Sequence, residues 1–398
     1  MKETLRWFGP HDNVSLENIS QSGASGVVTA LDHIKTGSVW TLDQILERKR
    51  MVESYGLQWT VIESIPLHND IKTMSGNFQE YINNYKESLQ NVGKAGIDRV
   101  CYNFMAVLDW TRTNLRYALP NKSLALRFDM VDFAAFDIFI LKRKNAMKDY
   151  TTDICRKAKT RFHNFTEKEV NNIQKNIIAG LPGGEGSYSK DQILSEIKNF
   201  SKIGIEGYRQ NLFKFLKEII PVAEASKVKM CIHPDDPPFP LFGLPRVVSS
   251  SDDIEKLLNA YPSKYNGLTM CIGSYGAGFQ NDTEKLVKKF KSHIYFAHLR
   301  NIIKEPNGSF YESDHLAGDN DMYSIAKHLV HEENCRVHEG SDDYIPFRPD
   351  HGHLIGAEAN LDNVNPGYSF VGRLRGLSEL RGLFFALANR KKPRKRES

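Results

Sequence analysis

Cysteine is scarce in this 398-residue chain. Five are too few for a disulfide framework at this length, so a reducing cytoplasm is expected, where thiols stay free to ligate. No apolar run reaches the roughly 20 residues that span a bilayer, which argues against a helical membrane protein. The opening residues, MKETLRWFGP, lack the apolar core of a secretion signal, so the triplet Asn13-Val14-Ser15 carries no glycosylation meaning. Internal repeats, low-complexity tracts and linkers rich in Pro, Gly or Ser are also missing, which excludes solenoids and beaded architectures. Excess charge of one sign is nearly absent too. The formal charge of +5 reflects 53 Lys+Arg against 48 Asp+Glu, and the last eight residues, KKPRKRES, hold five of the former and one of the latter. The body is therefore 48 against 47, which argues against a nucleic-acid surface and leaves 391–398 as a solvated basic tail.

What is present is an alternation of short β-branched runs with amphipathic stretches, the pattern of βα units. Eight runs read as strands: 4–8, 26–31, 58–64, 99–104, 228–233, 268–273, 294–299 and 344–349. Thr41 with Gln44, Ser189 with Gln192, and Thr166 with Glu169 fit capping boxes that open helices. Eight such units predict an α/β chain folded as a (β/α)8 TIM barrel, one domain over 1–390. The gap between the fourth and fifth strands is too long for one helix, so 106–225 is predicted to be a large, mainly helical insertion. Its first apolar run, LALRFDMVDFAAFDIFIL, fits either a strand pair or a buried helix. The insertion is expected to roof the barrel mouth or to make a subunit contact, the latter in a homo-oligomer such as a dimer.

Four of the predicted strands end on a side chain that binds metals. VKMCIHPDDPP carries His233, GLTMCIGSYG carries Cys271, HIYFAHLRN carries His298 and YIPFRPDHGH carries Asp350. Taken singly, each reads as a packed or hydrogen-bonded residue. In a parallel barrel, however, the loops after the strands share one face, where active sites lie. Two imidazoles, a thiolate and a carboxylate then form a ligand set for a divalent transition metal. Cys231 shares a strand face with His233 but sits one pleat deeper, and reads as core. Cys101, Cys155 and Cys335 read as structural.

The ordered motifs HPDDPP, GLPR, MCIGSYG, HLR, RPDHGH and NPGYS resemble those of the mannonate dehydratase family. So do RWFGP, VTAL, ESIPLH and YNFMAVLDWTRT, and the likeness runs from about residue 6 to residue 385. It implies a barrel of the xylose-isomerase-like group that converts D-mannonate to 2-keto-3-deoxy-D-gluconate and water with Mn²⁺ or, alternatively, Fe²⁺. The ligands it implies fall on His233, Cys271, His298 and Asp350, and its acid/base pair falls on His351 and Tyr368. Two departures stand out: Asp32 and Ala106 occupy positions where the family commonly has His and Pro.

Proton loss next to a carboxylate builds enediolate charge, so this chemistry needs a dication, a base and an acid. Imidazole titrates near neutrality, and a phenol beside a dication acidifies, which suits His351 and Tyr368 without fixing which is the acid. Donors for the substrate carboxylate and hydroxyls are sought in Arg6, Asn103, Arg300 and Arg348. Taken singly, each reads more readily as a barrel salt bridge or hydrogen bond. Trp7, Tyr102 and Trp110 stand near strand ends and either shape the pocket or pack. His353 alternates in register with His351 and reads as structural or supporting. Gly273 and Gly276 are expected to let backbone approach the substrate, and Gly183 and Gly184 to be loop residues. An aldose–ketose isomerase is the alternative, against which the thiolate Cys271 argues. A metal-dependent hydrolase lacks a His-X-His at the first strand, and an inactive barrel acting as a binding protein is disfavoured by His351 and Tyr368.

Overall fold

The protein is described by a computed structural model covering residues 1–178, 189–361 and 363–389. Gly183, Gly184 and the basic tail lie outside these residues. In chain order the strands are β1 (Lys2–Arg6), β2 (Gly26–Thr29), β3 (Gln58–Glu63), β4 (Arg99–Tyr102), β5 (Asn114–Ala118), β6 (Leu124–Phe128), β7 (Lys229–Ile232), β8 (Asn266–Cys271), β9 (Ile294–His298), β10 (Ile302–Lys304), β11 (Phe310–Glu312) and β12 (Pro346–Arg348). Eight of them close a parallel barrel in the order β1-β12-β9-β8-β7-β4-β3-β2. These are the eight runs picked out by their β-branched composition. β1 starts earlier than expected, so Arg6 ends that strand. The strands are buried nearly throughout, because helices cover the outside and side chains fill the inside.

Helices begin where the caps demand. Thr41 and Ser189 each close a complete capping box, and the Thr166 hydroxyl accepts from the Glu169 amide at 3.3 Å. Between β4 and β7 lie the β5–β6 hairpin and the helices Met130–Ala135, Thr152–His163, Glu167–Ile178, Lys190–Ser201 and Gly204–Ser226. The ambiguous apolar run is both things in turn. It is β6 up to Phe128, and then Asp129 caps the next helix by accepting from the amides of Val131 and Asp132.

A second sheet, ordered β10-β11-β6-β5, joins two excursions from the barrel. One follows β4 and the other follows β9. Phe128 stacks on Phe310 at 5.7 Å, and the Arg127 guanidinium donates to Asp129 and Glu305. The sheet thereby carries Glu312, at the end of β11, to the loops that follow the barrel strands. Among the described residues no helix is long and apolar enough to cross a membrane.

Candidate metal centre

Barrel register assembles the centre. Cys271 lies beside His298, and His298 beside Arg348, in neighbouring strands. His233 follows β7, its amide held by the carbonyl of Tyr102 at 2.8 Å. One ligand atom from each of His233, Cys271 and His298 lies within 4.8 Å of the others. Beneath them, Phe296 shares a strand face with His298 and meets its ring edge-on at 4.6 Å. Phe296 packs with Val28, Val61 and Cys101, an apolar layer under the polar cluster.

The chemistry of these three residues fits a divalent transition ion. His233 Nδ1 lies 2.7 Å from the Pro234 carbonyl, which places the proton on Nδ1 and leaves Nε2 as a lone pair. His298 Nδ1 is buried yet has no hydrogen-bond partner among the described residues, which a cation would satisfy. Its Nε2 accepts from Arg348 Nε at 3.1 Å, with Glu63 Oε1 3.4 Å away. Burial lowers both imidazole pKa values, keeping the rings neutral, as ligation requires. Burial also pushes the Cys271 thiol up to about 12, with Arg300 partly offsetting it. A thiolate there therefore depends on a cation. Cys231 lies outside this group, its thiol donating to the Lys229 carbonyl at 3.6 Å.

Asp350 sits at the edge of the cluster. Its Oδ2 is 3.8 Å from Cys271 Sγ and 3.8 Å from His298 Nδ1. The residue adopts a left-handed backbone, φ 68°, unusual outside glycine, which turns the chain sharply just past β12. Its carboxylate is gripped by Arg300 Nε at 2.8 Å and by Arg348 Nη1. Burial alone would raise its pKa, but Arg348, then His351, His298 and Arg300, hold it well below the usual carboxylate range.

His351 and Tyr368 come together beside this cluster, their rings edge-to-face at 5.2 Å. His351 Nδ1 bonds Glu312 Oε1 at 3.0 Å, and Nε2 is 3.6 Å from Asp350 Oδ1. Tyr368 packs against Phe8 at 4.7 Å and lies under the guanidinium of Arg348 at 5.8 Å. Burial raises the phenol pKa above its ordinary value, with Arg348 partly offsetting it, so the side chain is a neutral O–H.

The four donors sought for the substrate differ in their surroundings. Arg300 is buried and bonds Asp350, Glu312, Asp236 and Ser274. Arg348 bonds Asp350, Glu63 and His298. Arg6 is looser: its Nη2 is 3.7 Å from Asp32, and its buried Nη1 has no hydrogen-bond partner among the described residues. Asn103 is half-buried, one residue beyond β4. Trp110 stands edge-on to His351 at 6.0 Å with its indole N–H buried and without a hydrogen-bond partner among the described residues. Tyr102 packs on Phe215, and Trp7 lies under Arg48. The glycines expected to admit substrate admit side chains instead. A Cβ on Gly273 would lie 2.5 Å from Arg300 Nη1, and one on Gly276 would lie 2.5 Å from the Asn320 amide.

Three acidic residues were missed in the sequence. Glu63 ends β3, Asp236 lies in the HPDDPP loop, and Glu312 ends β11. Arg112 bonds both Asp236 and Glu312. The HPDDPP signal was visible, because Asp236 is three residues past a predicted ligand. Glu312 carried no such signal, since β11 has three residues and no distinctive flanks.

Comparison with known proteins places this geometry. The profile of the D-mannonate dehydratase (UxuA) family matches residues 1–394. A mannonate dehydratase of Saccharophagus degradans is 58% identical over 388 residues, which is 97% of this chain and 98% of that one. One from a Marinomonas species is 49% identical, covering 97% and 99%. The crystal structure of mannonate dehydratase from Streptococcus suis is 36% identical, with a TM-score of 0.78 over 99% of this chain and 97% of that one.

Proposed function

The chain belongs to the mannonate dehydratase family, and from that premise we propose how its own residues carry out the reaction. It is a hydro-lyase that converts D-mannonate to 2-keto-3-deoxy-D-gluconate and water. The observation that carries the site assignment is the convergence of His233, Cys271 and His298 at the barrel mouth. These three, with Asp350 completing the set, are the residues that would hold the metal, Mn²⁺ or alternatively Fe²⁺. A bound dication supplies positive charge against the enediolate that develops on the substrate carboxylate.

The rest falls to the protein. The C2–H bond breaks and its electrons pass into the enediolate. That pair then forms the C2=C3 bond as the C3–O bond breaks, the departing hydroxide takes a proton to become water, and the enol ketonises. His351, with Nδ1 bonded to Glu312, has Nε2 left to accept the C2 proton. Tyr368, kept neutral by burial, has a proton to give to the leaving hydroxyl. Trp110 Nε1 and Arg6 Nη1 have buried N–H groups with no hydrogen-bond partner among the described residues, and so are open to substrate oxygens. Arg300 and Arg348 hold carboxylates in place. A cytoplasmic setting suits the five free cysteines.

Side-by-side assays test this reading. With Mn²⁺, the protein should form a 2-keto-3-deoxy acid from D-mannonate and no ketose from xylose, which offers no carboxylate where charge develops. Ketose from xylose without keto-deoxy acid from mannonate would favour the isomerase.

A further inference from the structure

Glu312 neither takes nor gives a proton in the chemistry assigned above, yet the centre is tied together through it. One oxygen, Oε1, accepts from Arg112 at 3.1 Å, from Arg300 at 2.9 Å and from His351 Nδ1 at 3.0 Å. The backbone carbonyl of the same residue meets His353 Nε2 at 3.1 Å. Both histidines of the DHGH segment therefore hold one roof residue, one by its side chain and one by its main chain. Glu312 is buried, at 3% exposure, and its second oxygen has no hydrogen-bond partner among the described residues.

From this geometry we infer that Glu312 is a positioning residue for the dehydration, acting through His351. A carboxylate accepts but does not donate, so the proton of neutral His351 is fixed on Nδ1. The lone pair is then on Nε2, which turns away from the roof toward Asp350, 3.6 Å away. The two arginines on the same oxygen anchor the carboxylate, so the ring cannot swing while the contact holds. A buried carboxylate behind a catalytic imidazole has the same logic in serine hydrolases, where it sets tautomer and orientation. Here the carboxylate comes from an excursion after β9 and the imidazole from the loop after β12. Pairing of β11 with β6 thus helps to set the catalytic geometry.

This inference rests on His351 as the proton carrier, and a double-mutant cycle separates the two. Glu312→Gln, Glu312→Asp, His351→Asn and the Glu312→Gln/His351→Asn pair are each purified with metal, and metal content, kcat and KM are measured. Glu312→Gln should lower kcat roughly 10²-fold, as loss of an orienting carboxylate does, with KM within about three-fold and metal retained. Glu312→Asp keeps the charge for Arg112 and Arg300 but withdraws the oxygen from Nδ1, and should lose kcat similarly. In the His351→Asn background, Glu312→Gln should add less than about three-fold, because residues acting as a unit are not additive. Full activity in Glu312→Asp, or a full multiplicative loss in the double variant, would overturn the positioning role while leaving His351 catalytic. Wild-type turnover in His351→Asn would overturn the proton-carrier assignment, and this inference with it.

Discussion

Arg300 Nε donates to Asp350 Oδ2 at 2.8 Å, so the guanidinium two residues beyond His298 holds the carboxylate at the edge of the candidate metal cluster. Arg300→Met would strand Asp350, Asp236 and Glu312 in a buried site. The unfolding free energy should fall by about 3–5 kcal/mol, the usual result of removing one partner from a buried ionic network. Urea denaturation measures this. A variant of unchanged stability whose KM alone rises would make Arg300 a substrate clamp. Gly273→Ala should act in the same direction, since its Cβ would press on Arg300 Nη1.

Cys271→Ser should bind metal roughly ten-fold or more weakly and lose turnover while keeping its fold, because a neutral hydroxyl replaces an anionic sulfur. Metal content after dialysis, read by mass spectrometry, is the measurement. Cys231→Ser, altered one pleat deeper on the strand that leads to His233, should keep its metal. Equal metal loss in both would point to strand damage, not lost ligation.

His351→Asn and Tyr368→Phe should each retain metal and lose turnover by roughly 10²-fold or more. Solvent deuterium at C2 tells them apart. Tyr368→Phe should still exchange the C2 proton of mannonate, and His351→Asn should not. The reverse pattern would exchange the two roles.

Acid should weaken the fold partly through Glu312. Burial would raise its carboxyl, but Arg300 and His351 hold it at about 2, below its ordinary 4.5. The unfolded chain therefore binds this proton first as pH falls. The stabilisation is complete above pH 4.5 and is lost on going down to about 2. It amounts to on the order of 3 kcal/mol for a fully buried group. Between pH 5 and pH 2.5, Glu312→Gln should lose less stability than the parent in urea titrations. Parallel slopes would show that Glu312 is not ionised in the folded protein.

All eight barrel strands were legible in the sequence, because strands buried on both faces must be continuous apolar runs, and few other segments are. The candidate ligands were legible for a related reason: His233, Cys271 and His298 stand where those runs end, and the fold brings them together. The divided fate of residues 124–141 was not, since an apolar run looks alike as strand or helix, and Asp129 settles it by capping. Nor was the roof. β10 and β11 have three residues each, and they exist through pairing with one another and with β6, far away in the chain. The sequence by itself thus determined the barrel, the candidate metal ligands and the acid/base candidates, because these follow from local pattern and residue chemistry. Only the tertiary structure decided which charges meet. It bound Arg300 and Arg348 to carboxylates and set Glu312 behind His351, because partners in a buried ionic network are chosen by distance in space, which no spacing along the chain encodes.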